Sequence, residues 1–166
     1  MRLILRVLVL LTLAGVAATT HAGFKAAISG VIAPDLELVS AEFGLVKNAE
    51  DGTIEIVPAK SIPLVAGQGF GWRLHFRTTR KVLALREELV LPAAPKEWTS
   101  DGDPAFKLSP DGKIAKTEAV VVLADGMIQK VWTVIDGDPS GDYEIRLSIE
   151  GQLVRTFKFK VEPPKP

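Results

Sequence analysis

Cysteine is absent from the chain. That single absence excludes disulfide staples, thiolate metal sites and cysteine nucleophiles together. Histidine is nearly absent: of 2 in the sequence, His21 lies in an N-terminal leader and only His75 remains beyond it. A hydrolytic triad or a zinc centre needs histidine in suitable company, so with one histidine and no cysteine a zinc ion would have to be held largely by carboxylates. Charge of one sign is missing too, since 20 Lys and Arg balance 20 Asp and Glu. Such a balance gives no reason to expect nucleic acid or an anionic membrane surface as a partner. No apolar run reaches the roughly 20 residues that a membrane-crossing helix needs.

The longest apolar run is at the start. Arg2 and Arg6 form a positive n-region, and Val7 to Ala18 is interrupted only by Thr12 and Gly15. That is the length of a signal-peptide core rather than of a membrane span. The small residues Thr20 and Ala22 flank His21 and set a cleavage site before Gly23, with Ala18 as the second choice. No cysteine stands there to carry a lipid. The expected organisation is a signal peptide over 1–22, a single domain over 23–162 and a disordered Pro-rich tail over 163–166. The expected location is the periplasm or the outside of the cell, with no membrane span in the mature chain. A domain of this length can hold itself together by its core alone.

Strand signals fill what remains. Phe24–Ala33 and Leu36–Val46 are apolar or β-branched and are separated by Pro34-Asp35. Thr53–Val57 alternates and stops at Pro58. In Gly69–Arg77, Phe70, Trp72, Leu74 and Phe76 fall on one face, and Arg73, His75 and Arg77 on the other, the solvent side of an antiparallel sheet. Val82–Leu91 fits a helix or a strand; the missing cap and Pro92 favour strand. Pro92–Lys116 is rich in Pro, Gly, Asp and Ser and reads as one long connection. Strands resume at Ala119–Leu123 and Met127–Ile135, with Asp125-Gly126 as a short hairpin signal. The end is a hairpin: Tyr143, Ile145, Leu147 and Ile149 alternate outward to a turn at Gly151, and Leu153, Phe157, Phe159 and Val161 return on one face. The fold class is all-β, an antiparallel β-sandwich of immunoglobulin-like architecture, preceded by a signal peptide. The Cys…Trp…Cys pattern of antibody domains is absent.

Two stretches carry a family resemblance. One is Ile62-Pro63, then Gly67 and Phe70-Gly71, a strand and Pro92. The other is Trp132, then Pro139-Ser140-Gly141-Asp142-Tyr143-Glu144-Ile145, closing with Phe157-Lys158-Phe159-Lys160-Val161. Over residues 60–162 the chain resembles a bacterial family, domain of unknown function 3859, with Tyr143 standing where that family has Trp. The resemblance implies an extracytoplasmic immunoglobulin-like β domain and brings no activity and no catalytic residues.

The candidate chemistry is sparse. His75 lies on the polar face of a strand, where histidine is more often solvated than catalytic. There is no Gly-x-Ser-x-Gly elbow. The alternate glycines of Gly67-Gln68-Gly69-Phe70-Gly71 lack the lysine and the helix of a phosphate loop. Calcium is the sharpest alternative. Asp136, Asp138 and Ser140 take the first, third and fifth positions of an EF-hand-like loop, with Gly141 sixth and Asp142 beside it. The twelfth position is Leu147 rather than a bidentate Glu, and Pro139 stiffens the loop. Asp101 and Asp103 offer further oxygens, but turn-forming Asp and Gly explain these segments without a metal. Arg73, Arg77, Arg80 and Lys81 form a small basic patch suited to an acidic partner, or serve solubility and edge protection. The expectation is a non-enzymatic module without catalytic residues, metal or cofactor, binding or scaffolding an unknown extracytoplasmic protein or glycan. The alternatives are a carboxylate-dependent hydrolase or carbohydrate-active enzyme using Asp136 and Asp138, and a calcium-dependent binding domain. A concave pocket or an exposed apolar patch on the folded surface discriminates among them.

Overall fold

Strand β5, Gly69–Thr78, shows how alternation sets the architecture. Phe70, Trp72, Leu74 and Phe76 are buried on one face, while Arg73 and His75 are half-buried and Arg77 exposed on the other. The same rule places Leu83, Leu85 and Leu89 of β6, Val82–Val90, in the core, so the ambiguous segment is a strand. Its apolar residues recur every second position, which lines one face of a strand but scatters around a helix. β10, Gly141–Ile149, buries Tyr143, Ile145, Leu147 and Ile149, and β11, Gln152–Glu162, buries Phe157, Phe159 and Val161.

The computed structural model describes residues 30–48, 53–98 and 104–164, and among them there are eleven strands and no helix. The first sheet runs β1 (Gly30–Ala33), β2 (Leu36–Asn48), β5 and β9 (Met127–Thr133), with β3 (Ile54–Pro58) also paired to β2. The second runs β4 (Ser61–Pro63), β11, β10, β6, β8 (Ile114–Val122) and β7 (Phe106–Leu108). All pairings are antiparallel except that of β4 with β11. The two inner faces meet in one apolar core, in which Phe43 lies 4.5 Å from Phe159 and 6.4 Å from Phe70, ring centre to ring centre. The all-β, immunoglobulin-like sandwich expected from the sequence is the fold of this chain. Gly44 and Gly71 stand opposite each other in β2 and β5. A Cβ on Gly44 would lie 1.9 Å from the Val57 carbonyl oxygen, and one on Gly71 2.4 Å from that of Lys130, so both positions require glycine.

Three expectations need correcting. Leu153 does not return on the core face; it is 63% exposed. The ladder steps from Leu147↔Arg155 to Ser148↔Leu153, leaving Val154 as the extra residue of a β-bulge. That residue inverts the alternation towards the turn, so Val154 packs on the core in place of Leu153. Second, Pro92–Lys116 is not all connection, since β7 and the start of β8 lie inside it, where β8 finds β6 as a partner. Third, Asp125 and Gly126 do form a two-residue turn with positive φ, 51° and 76°, but it closes a single bridge between Ala124 and Met127. Beyond it β8 pairs with β6 and β9 with β5, so the turn carries the chain from one sheet to the other. The short parallel strand β4 was not foreseen from the sequence: it is three residues long, buries only Ile62 and ends at Pro63.

The expected signal peptide, residues 24–29 of the first expected strand, Asp101, Asp103 and the last two tail residues lie outside the described residues. Strand β11 ends at Glu162, and Pro163 and Pro164 that follow are exposed. No helix among the described residues is long and apolar enough to cross a membrane.

Candidate functional site

One charged side chain is fully buried among the described residues. Glu87 occupies the inward position between Leu85 and Leu89 of β6 and has 0% exposure. Its Oε1 accepts from the Trp72 indole at 2.6 Å and from the Trp132 indole at 2.9 Å. Its Oε2 accepts from the Lys130 ammonium, which also donates to Thr117 Oγ1 at 3.1 Å and lies 4.4 Å from the Trp132 ring centre. Trp72, Lys130 and Trp132 come from the first sheet, and Glu87 and Thr117 from the second, so the network ties the two sheets together. A buried carboxylate is tolerated only when paired and hydrogen-bonded, and here both oxygens are engaged. Nothing in this arrangement is open to a substrate.

A cleft of about 40 Å³ lies beside the network, lined by Phe70, Trp98, Trp132, Tyr143, Glu97 and Asp138 among others. Asp138 turns one carboxylate oxygen back to the Ile135 N–H at 2.9 Å, closing the turn between β9 and β10. Burial raises its carboxyl above the ordinary aspartate value, and the Ile135 N–H offsets this only in part. Tyr143 donates its hydroxyl to the Pro139 carbonyl at 2.7 Å, in the manner of a tyrosine corner. Burial, and secondarily the charge of Asp138, pushes that phenol far up. The cleft has room for a few water molecules, against the several hundred Å³ of small-molecule sites.

The residues singled out from the sequence are scattered. Asp136 is exposed in the turn, Asp142 is exposed opposite Lys160 on β11, and Asp138 faces the cleft. No group of three metal-ligating side chains exists among the described residues. The carboxylates that share the cleft are Glu97 and Asp138, not Asp136 and Asp138. His75 stands between Ser40 and Met127 on the outer face, with its ring against Gly126. The three arginines of the basic patch are paired with carboxylates, and Lys81 beside them is exposed. Arg80 grips Asp35 with two bonds at 2.7 and 2.8 Å, Arg77 meets Glu37 at 2.5 Å, and Arg73 bonds Gln129 and the Ile54 carbonyl with Glu42 at 3.7 Å. Arg73 and Arg77 do not guard an edge, because β5 is flanked by β2 and β9; they stand opposite Glu42 and Glu37 across the ladder, while Arg80 joins the turn after β5 to Asp35 in the turn before β2.

The outer face of the second sheet divides into two zones. Its middle is a ladder of alternating charge, in which Glu144, Arg146, Glu88, Arg86, Glu118 and Lys116 make successive ion pairs. At one end the charges stop. Val82 faces Val122, and Ala84 faces Val120, all pointing outward. Val120 is 73% exposed, Val122 60% and Val82 48%. This apolar end was readable as the run Ala119–Leu123, but the sequence does not say that β6 lays a second valine beside it.

Comparison with known proteins bears on the fold. A family model described as PM0630 beta sandwich domain matches residues 41–162. Among curated proteins nothing matches. Among solved structures, an immunoglobulin-like protein from Pseudomonas aeruginosa is 18% identical, covers 74% of this chain and 91% of its own, and superposes with a TM-score of 0.50. The bacterial hydrophobin BslA is 14% identical over 78% of this chain and 98% of its own, with a TM-score of 0.37. The first of these shares the sandwich architecture; the second is too distant for any argument.

Proposed function

The chain belongs to the PM0630 beta sandwich domain family, and from that premise we propose that it is a non-catalytic module of the bacterial cell exterior that binds or scaffolds another extracytoplasmic component. The observation that carries this reading is the apolar end of the second sheet: Val82, Val120 and Val122 stand together on an open sheet face beside a charged rim. A contiguous exposed apolar group rimmed by polar residues is the usual mark of a protein contact. The leader-like start of the chain, and the narrower resemblance to domain of unknown function 3859, support placement in the periplasm or outside the cell.

The test is a photoreactive residue placed at position 82 in the living cell. It should trap a discrete partner whose mass differs from that of a second copy, and the same residue at position 31, 77% exposed on the other sheet, should trap none. If position 82 yields nothing, the reading fails. A hydrolase becomes the better account if a glycan or ester substrate is turned over and Glu97→Gln or Asp138→Asn abolishes that turnover.

A further inference from the structure

We propose that a second copy of this chain pairs with the open edge of β8, joining two second sheets into one across a twofold axis at Val121. β7 covers only Ala115–Thr117 of β8, and the Glu118 N–H goes to the Ala105 carbonyl at 3.2 Å. On the opposite side the Leu123 N–H goes to the Lys81 carbonyl at 2.9 Å, next to β6. Backbone groups along a strand alternate in direction, so those of Val120 and Val122 point away from β6, where no described residue takes them. The Ala124 N–H is already used by Met127. The free edge therefore ends there.

The free stretch is its own complement. Placed antiparallel to a copy of itself about Val121, Val120 meets Val122 of the partner subunit and Val122 meets the partner's Val120. Both are pairs that exchange N–H···O bonds, with Val121 facing its equivalent in a non-bonded pair between them. A register centred on Val120 uses Glu118, whose N–H is occupied. No charge falls opposite a like charge, because Ala119–Leu123 carries none. The outward valines, 73% and 60% exposed, become cross-strand neighbours of the kind that stabilise sheets.

The other edges among the described residues are guarded. β4 is three residues long and ends in Pro63, β1 is four residues long and runs into Pro34, β3 carries Glu55 and ends in Pro58, β9 carries Lys130, β7 carries Lys107, and the part of β11 that β4 leaves open carries Arg155, Lys158 and the bulge at Val154. Among these edges only β8 offers several apolar residues with no Pro, Gly, bulge or charge. A five-residue edge buries little beside the roughly 1,200–2,000 Å² of stable complexes, so the pairing is weak and concentration-dependent. This pairing stands apart from the heterologous partner proposed above.

Sedimentation of the exported protein should show monomer at low micromolar concentration and a growing dimer fraction towards about 1 mM. Val120→Lys/Val122→Lys places like charges opposite each other and should remain monomeric throughout, with unchanged circular dichroism. Because the chain has no cysteine, Val121→Cys reports the register: on mild oxidation it should form a disulfide dimer at least roughly tenfold faster than Val31→Cys. A monomer at every concentration overturns the proposal. So does a dimer that survives both lysines, growth into open polymers, or equal rates for the two cysteine variants. Crosslinking from position 82 to a different protein is read separately, and its failure leaves these results unaffected.

Discussion

The Trp72 indole donates to Glu87 Oε1 at 2.6 Å, across the gap between the two sheets. Both residues have 0% exposure, so the bond forms only where water has gone. Glu87→Ala leaves the Lys130 ammonium and two indole N–H groups without their acceptor. It should cost about 3–5 kcal/mol in a urea titration, the range for breaking a buried ion pair. Glu87→Leu combined with Lys130→Met removes the charges together and should recover most of that loss. A double variant no more stable than Glu87→Ala would show that the cost lies with the two indoles left without their acceptor rather than with the orphaned ammonium.

Phe157 and Leu153 give a paired test of the bulge. Phe157 is buried against Phe43, with ring centres 5.4 Å apart, and Phe157→Ala should cost about 3–5 kcal/mol. Leu153 lies outside the core, and Leu153→Ala should stay within about 0.5 kcal/mol. Denaturant midpoints of the two variants check both values at once.

The turn before β10 predicts a pH signature. The Asp138 carboxyl is raised above its ordinary 3.8 by burial, so the folded chain holds that proton more tightly than the unfolded chain. Its contribution is favourable below 3.8 and is lost as pH rises through the folded value. Asp138→Asn keeps an oxygen for the Ile135 N–H and removes the ionisation. It should melt higher than the parent at neutral pH, with the advantage shrinking in acid. Equal melting temperatures at neutral pH would count against a desolvated carboxylate. On the alkaline side, Tyr143 is raised above its ordinary 10.0, so stability should fall as pH passes that value, and less steeply in Tyr143→Phe.

Calcium should do nothing. Asp136 and Asp142 are exposed, and Asp138 is turned back to the Ile135 N–H. A ligand that binds only the folded state raises stability by RT ln(1 + [L]/Kd). Millimolar calcium should therefore leave the melting temperature where it is, and EDTA should not lower it. A rise of several degrees that disappears in Asp138→Ala would restore the calcium-dependent binding domain.

What could be read from the sequence was whatever depends on alternation within one strand. Phe70 to Phe76 and Tyr143 to Ile149 announced their inward faces because period two is a local property. Glu87 was not singled out, although the same rule could have placed it. Once Leu83, Leu85 and Leu89 point inward, the glutamate between Leu85 and Leu89 must point inward too, and a charge in that position calls for a partner. Its partners were not legible, because Trp72, Lys130 and Trp132 reach it across the sandwich and no spacing along the chain encodes that. The Leu153 error has the opposite origin: one bulged residue, Val154, reverses every side chain beyond it. The Asp125-Gly126 turn was correct as local chemistry and misleading as topology, since a tight turn fixes a reversal but not which sheet each arm joins. The open edge of β8 depends on β7 being too short to cover it, which is a property of two strands rather than of either.

The Glu87 network also has a consequence in time. Its members lie at positions 72, 87, 117, 130 and 132, so no short stretch of chain can assemble it. Each sheet can form its own ladder while the carboxylate is still wet, but the indoles and the ammonium surround it only when the two sheets close. Interactions completed after the rate-limiting step slow unfolding without hastening folding. Where the sheets close after that step, Glu87 acts as a latch rather than a guide. Its loss should leave the refolding rate nearly unchanged and shorten the lifetime of the native state.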